Sequence, residues 1–145
     1  MLYKRCSSCG KRIPNNATCK CQIDNIRQRY KEYKASRSDK EQQEFYRSKA
    51  WIKCKEYRIA ELLNIDWYEY YVNNNLVQGY TLHHIEELKE CNERALDNSN
   101  LIYLTQSNHK KIHIEYLKST KNKIKTQAIL YSCLEKMQKV QHVRQ

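Results

Sequence analysis

Four of the chain's five histidines fall between residues 83 and 113, in the stretches "TLHHIEEL" (81–88) and "SNHKKIH" (107–113). His83 and His84 close a short apolar run that reads as a strand, and neighbouring strand side chains point to opposite faces. The two therefore need different jobs. His109 and His113 stand four apart on an expected helix and share one face. A strand delivering His83 to that face would place three imidazoles around one divalent cation. Imidazole donors suit zinc or nickel, and magnesium or manganese can be held there with waters completing the shell. His84, on the other face, is left free as a general base, since imidazole with a pKa near ~6.5 can deprotonate water near neutrality. The cation would neutralise charge on a scissile phosphate. Asn100, just before a second apolar run, is placed to tie loop backbone together and hold His84, since its amide both donates and accepts.

A second cluster lies at the N-terminus. Cys6-x-x-Cys9 and Cys19-x-Cys21, four of seven cysteines, are separated by nine residues. Tetrahedral zinc takes four thiolates at about 2.3 Å, and closely spaced pairs each wrap one edge of the tetrahedron. Gly10 after the first pair suits the tight turn of a zinc knuckle. One structural zinc on Cys6, Cys9, Cys19 and Cys21 is the expectation. Cys54, Cys91 and Cys133 have no partner at ligand spacing.

The positioning elements follow from periodicity. Ile23, Ile26, Tyr30 and Tyr33 recur at helical spacing with basic residues between them. Ser38 with Glu41 reads as a capping box, and Ser48 recaps a run through Trp51, Ile52, Ile59 and Leu63. "NIDWYEYYVNNN" predicts a short aromatic helix ending in an Asn-rich turn. Residues 76–84 and 101–105 read as strands joined by a polar loop over 85–100, and a helix follows with Ser107 as its cap. Residues 121–143 are amphipathic, with Ile124, Leu130, Leu134, Met137 and Val140 near one face. The class is α+β and mostly helical, organised as 1–22 (zinc knuckle), 23–75 (helical and basic), 76–118 (histidine core) and 119–145 (C-terminal helix).

Lys and Arg number 27 against 16 Asp and Glu, a formal charge of +11 over 145 residues. That excess favours a polyanionic partner, most economically DNA. Arg27, Arg29, Lys31, Lys34 and Arg37, with Lys110 and Lys111, are the candidates to hold the phosphate backbone. The opening "MLYKRCSSCG" runs straight into charges and cysteines, and no apolar run approaches the roughly 20 residues that span a bilayer. The expectation is a cytoplasmic protein without a membrane partner, whose cysteines serve metal or remain thiols.

"LHHI…DNSNLIYLTQSNHKKIH" resembles the HNH (His-Asn-His) endonucleases. That resemblance implies a ββα-metal core: two strands packed on one helix around a catalytic metal. It matches His84 to the general base, His83 to the metal-ligating position before it, Asn100 to the middle Asn and His109 to the final ligand. His113 is similar to the third metal contact of the colicin-type branch. The cysteine segment, the basic helix and "FYRSKAW" resemble small phage-encoded HNH proteins, often found near packaging genes. The resemblance thus spans roughly residues 6–118 and implies a host-cytoplasmic DNA endonuclease leaving 5′-phosphate and 3′-hydroxyl ends. Terminase or portal proteins are the partners it suggests.

One departure stands out. Many phage members carry two further Cys-x-x-Cys pairs flanking the strands, and here "NIDWYEYY" and Thr105 with Asn108 stand in their place. Packing by Trp67, Tyr70 and Tyr71 is the expected replacement. Two other functions fit parts of the pattern. A non-catalytic zinc-knuckle DNA-binding protein explains the charge and the cysteines but not the histidine spacing. An RNA-cleaving HNH-type toxin would use the same metal site.

Overall fold

The computed structural model describes residues 2–142 and is α+β, mostly helical, with two small sheets. The chain divides into two compact units, Met1–Lys40 and Glu41–Gln145. Residues 23–75, read from the sequence as one basic helical region, are shared between them.

In the first unit, β1 (Tyr3–Arg5) and β2 (Arg12–Pro14) pair antiparallel around the knuckle. Gly10 takes φ 73° in that turn, a left-handed conformation that favours glycine. Helix α1 (Lys20–Ser36) follows, and none of its residues is buried. Ile26, Tyr30 and Tyr33 are each more than half exposed, so the helical periodicity is present without an apolar core beneath it.

The second unit has the core. Helix α2 (Lys40–Arg47) begins one residue after Asp39, so Ser38 does not stand at its N-cap position as the capping box expected. Ser48 does cap α3 (Lys49–Glu61), its hydroxyl accepting from the Trp51 N–H at 3.1 Å. Helix α4 (Trp67–Asn73) starts at Asp66 and ends with Asn74 in the left-handed region, which Asn tolerates better than most residues. β3 (Thr81–His84) pairs antiparallel with β4 (Leu101–Leu104), with His83 opposite Ile102 and His84 opposite Leu101. β3 is shorter than expected. Leu76 and Tyr80 are exposed, and the preceding chain makes only one bridge, between Gln78 and Ile65.

All four residues of β4 are buried, which is how a continuous "LIYL" run behaves when both faces of a strand are covered. Helix α5 (Gln106–Lys118) is capped by Thr105, not Ser107. The Thr105 hydroxyl accepts from the Asn108 N–H at 3.2 Å, because the helix starts directly at the end of β4. Helix α6 (Thr120–His142) buries Leu130, Cys133, Leu134 and Met137. Ile124 and Val140, expected on the same face, are exposed, and residues 143–145 lie outside the described residues.

Where the resemblance implied a second pair of cysteine pairs, hydrogen bonds tie the elements together. Asp66, fully buried, accepts from the Glu69 N–H at 2.9 Å, the Thr105 N–H at 2.7 Å and the Asn108 amide at 2.8 Å. Glu69 accepts a further bond from the Asn108 amide at 2.8 Å. Trp67 is buried and stacks on Tyr71, whereas Tyr70 is substantially exposed and fills no interior space. The α4–α5 junction is thus held chiefly by a polar clasp. Asp66→Ala should leave two backbone N–H groups without their acceptor and take one of two acceptors from the Asn108 amide. A loss of at least about 3 kcal/mol is expected, read as a lower urea midpoint at unchanged slope.

Candidate metal centres and active site

The four knuckle sulfurs converge. Cys6 Sγ lies 3.5 Å from Cys21, Cys9 Sγ lies 3.6 Å from Cys19, and Cys19 Sγ lies 3.4 Å from Cys21. A disulfide holds its sulfurs about 2.05 Å apart. A zinc tetrahedron with 2.3 Å bonds separates them by about 3.8 Å, so the spacing is that of a ligand set. Cys19 sits at the N-cap of α1 and Cys21 in its first turn, at the positive end of the helix dipole, while the neighbouring Cys9 and Cys19 sulfurs push the Cys21 thiol well above its usual value. Backbone N–H groups of Cys9 and Ser8 turned toward the Cys6 sulfur hold its thiol down to about 6. Four soft donors at this spacing could hold zinc.

The second cluster is built on β3 and α5. Ring nitrogens of His83, His109 and His113 all lie within 4.8 Å of one another. His109 Nε2 and His113 Nε2 are 3.1 Å apart, close to the roughly 3.3 Å that two imidazole donors subtend on a tetrahedral cation. His83 is buried, and its Nε2 has no hydrogen-bond partner among the described residues. A buried imidazole nitrogen without a partner is costly unless something fills its lone pair or takes its proton. Burial depresses the His83 pKa well below the usual imidazole value, and the neighbouring His113 and His109 add to the effect. Burial also lowers His109, with His113 contributing. Three imidazole nitrogens gathered at this spacing could hold a divalent cation.

His84 turns the other way. Its ring stacks on Trp51 with centroids 4.9 Å apart, and Phe45 and Tyr46 approach from α2. Nε2 lies 2.9 Å from the Ala95 carbonyl oxygen. A carbonyl only accepts, so that bond places the proton on Nε2 and leaves Nδ1 with its lone pair free. Burial lowers the His84 pKa, an effect the Ala95 carbonyl partly offsets, so the ring is neutral at pH 7. A cleft of about 360 Å³ is lined by all four histidines, with Glu87, Lys89, Gln42 and Tyr46 around them.

Asn100 is fully buried and points to backbone, not to the histidine cluster. Its Oδ1 accepts from the Glu86 N–H at 2.8 Å, and its amide donates to the carbonyls of Glu86 and Arg94 at 3.1 and 3.3 Å. Since the next carbonyl after Arg94 is the one that orients His84, Asn100 positions the candidate base through the loop. Arg94 reinforces the same loop by donating to Asp97, Glu86 and Ser99. From α6, the Tyr131 hydroxyl reaches both Glu86 and Asn100.

Of the basic candidates, Arg27, Arg29, Lys31 and Lys34 are exposed on α1, in the first unit. Arg37, beyond the helix end, is half-buried and pairs with Asp39 at 2.6 Å, which compensates its charge locally. Lys110 and Lys111 are exposed on α5, the helix that carries His109 and His113, and Lys111 lies over the Tyr68 ring. Sequence reasoning overlooked Glu87, Trp51, Arg94 and Tyr131. Of these only Glu87 carried a local signal, an acidic residue four positions after His83 in "HHIEEL".

No family model, curated protein or solved structure matches the chain. No helix among the described residues is long and apolar enough to cross a membrane.

Two outcomes follow from these geometries. Protein purified without added metal should carry one zinc per chain, read by elemental analysis. Changing Cys6, Cys9, Cys19 and Cys21 to Ser should remove it and also the far-ultraviolet helical signal of α1, which has no buried residue to hold it. Zinc retained in that variant would overturn the ligand set. Separately, Asn100→Ala should lower stability by about 2–4 kcal/mol, because it leaves the part-buried N–H and carbonyl of Glu86 without partners and takes one of two donors from the Arg94 carbonyl. The urea midpoint checks it.

Proposed function

We propose that the chain is a metal-dependent endonuclease of the HNH type, hydrolysing DNA phosphodiesters on a ββα-metal core formed by β3, β4 and α5. The observation that carries this reading is the convergence of the His83, His109 and His113 ring nitrogens, with His84 lining the same cleft. The strand pair followed by a helix, the loop held by Asn100 and the charge of +11 support it further.

In this reading His83, His109 and His113 hold one divalent cation, zinc, nickel, manganese or magnesium. The cation supplies Lewis-acid neutralisation of the scissile phosphate and its leaving oxygen. His84 takes a proton from the attacking water onto Nδ1 while the water oxygen bonds to phosphorus. The P–O3′ bond then breaks and the departing O3′ takes a proton from solvent water, leaving 5′-phosphate and 3′-hydroxyl ends. Asn100 and the Ala95 carbonyl keep His84 in the tautomer that makes Nδ1 the acceptor. Lys110 and Lys111, and the exposed basic residues of α1, each neutralise backbone phosphates. None of these groups reads base edges by itself, so cleavage is nicking or weakly specific unless a partner such as a phage terminase or portal protein directs it. The cysteine cluster carries a structural zinc and takes no part in the chemistry.

Supercoiled plasmid incubated with the protein and each divalent metal tests this, with an RNA substrate beside it. Nicked or linear DNA is expected. DNA retarded on a gel without cleavage under any metal would favour a zinc-knuckle binding protein, and cleavage confined to RNA would favour a ribonuclease of the same design. His84→Ala should lower plasmid cleavage about 10²–10⁴-fold while divalent-metal binding by calorimetry persists. His83→Ala or His109→Ala should weaken both. Loss of metal in His84→Ala equal to that in His83→Ala would end the division of labour between the two neighbours.

A further inference from the structure

The histidine that needs most help in the cluster is His113. His83 is locked by burial, but the His113 side chain is 41% exposed, and packing alone does not hold an imidazole at that exposure. Its Nε2 nevertheless faces His109 Nε2 at 3.1 Å, and its opposite nitrogen, Nδ1, faces a carboxylate: Glu87 Oε1 at 3.8 Å. For Nε2 to offer a lone pair, the proton of the neutral ring must sit on Nδ1. A carboxylate on that side selects this tautomer, turns the ring and makes the donor nitrogen more basic.

Glu87 is itself held. Its Oε2 accepts from Lys123 Nζ at 2.5 Å, and the same ammonium reaches Glu90 at 2.7 Å. The Lys123 side chain is 15% exposed, so the clamp is sheltered from screening more than a surface pair would be. Helix α6 thereby fixes one oxygen of Glu87 and leaves the other toward His113. The carboxylate lines the cleft but stands outside the set of nitrogens that lie within 4.8 Å of one another.

We propose that Glu87 is a positioning residue for the histidine centre. Braced by Lys123, it holds His113 through Nδ1 so that Nε2 joins His83 and His109 on the cation. This rests on the metal reading of the three histidines. The contact at 3.8 Å is electrostatic rather than a hydrogen bond: the negative oxygen stabilises the Nδ1–H dipole directed at it. Glu87 touches neither phosphate nor water in this role, and its whole effect passes through one ring.

That last property makes the role separable from a ligand or a merely structural one. Protein with zinc already loaded in the cysteine cluster is titrated calorimetrically with Ni²⁺. Glu87→Ala should weaken nickel binding about 10–100-fold, the range for loss of a carboxylate behind a ligating histidine. In the His113→Ala background, where His83 and His109 remain, adding Glu87→Ala should change the affinity by no more than about twofold, because groups acting through one another are not additive. The d–d bands of the Co²⁺-loaded protein should shift in Glu87→Ala, whereas adding Glu87→Ala to the His113→Ala protein should leave that protein's bands where they are. An unchanged nickel affinity in Glu87→Ala overturns the role. So does an undiminished effect in the His113→Ala background, which would make Glu87 a ligand or a support of the fold. A wild-type chain that takes no nickel beyond the zinc-loaded cysteines overturns the metal reading itself, and this role with it.

Discussion

A strand buried on both faces allows no two neighbours to share an environment, and β3 ends in two histidines under that constraint. The alternation sends His83 toward α5 and His84 toward Trp51 and α2. Both are buried, yet one has an unpartnered nitrogen facing two other imidazoles and the other has its proton pinned by a carbonyl. A one-residue slip in the pairing of β3 with β4 would exchange their faces and destroy both arrangements. The register of His83 on Ile102 and His84 on Leu101 is therefore the condition for any chemistry in the cleft.

What holds that register is largely polar and remote from the cleft. Asp66 bonds the start of α5 just after β4, fixing one end of the strand. Asn100 bonds the backbone of Glu86 and Arg94 just before β4, fixing the other. Both side chains are fully buried, and their worth lies in satisfying backbone groups that the 85–100 loop and the strand ends would leave unpaired. Between them, Leu101, Ile102 and Leu104 supply the apolar burial, about 1.5–3 kcal/mol each. The long connection between β3 and β4 is thus a frame for the His84 carbonyl partner and for Glu87, consistent with the way long ordered loops in compact domains carry function.

Chain-local spacing made part of this legible. Cys6, Cys9, Cys19 and Cys21 were readable because each pair wraps an edge within three residues, and His109 with His113 because a helix turn sets their face. Asn100 was readable as a backbone clamp because an amide before a strand has few other uses. Its partners were not, since Tyr131 comes from another helix far along the chain and nothing local singles out the Glu86 and Arg94 backbone among the loop's many groups. Trp51, the stacking partner of His84, lies more than thirty positions before it and gives no local signal. The cap of α5 was misplaced because Thr105 and Ser107 both suit the position, and only the end of β4 decides between them. Ile124 and Val140 belong to the apolar face by periodicity and are nevertheless exposed, because periodicity reports a face, not how far along a helix its partners extend.

The two units meet the problem of order differently, and that difference bears on how the chain could engage a polyanion. The second unit orders itself with a buried apolar cluster and sheltered polar clasps, which fits a site that must keep four imidazoles in place. The first has thiols where a core would be, and its helix shows apolar and basic side chains alike to solvent. Lys34 lies over the Tyr30 ring on the helix surface, whereas Arg37, just past the helix end and over Tyr33, is paired with Asp39. A helix that a zinc bound by the four cysteines could hold would need no apolar core beneath it to expose that charge. The exposed Lys and Arg side chains of α1 repel one another, a cost that a phosphate backbone along the helix would relieve.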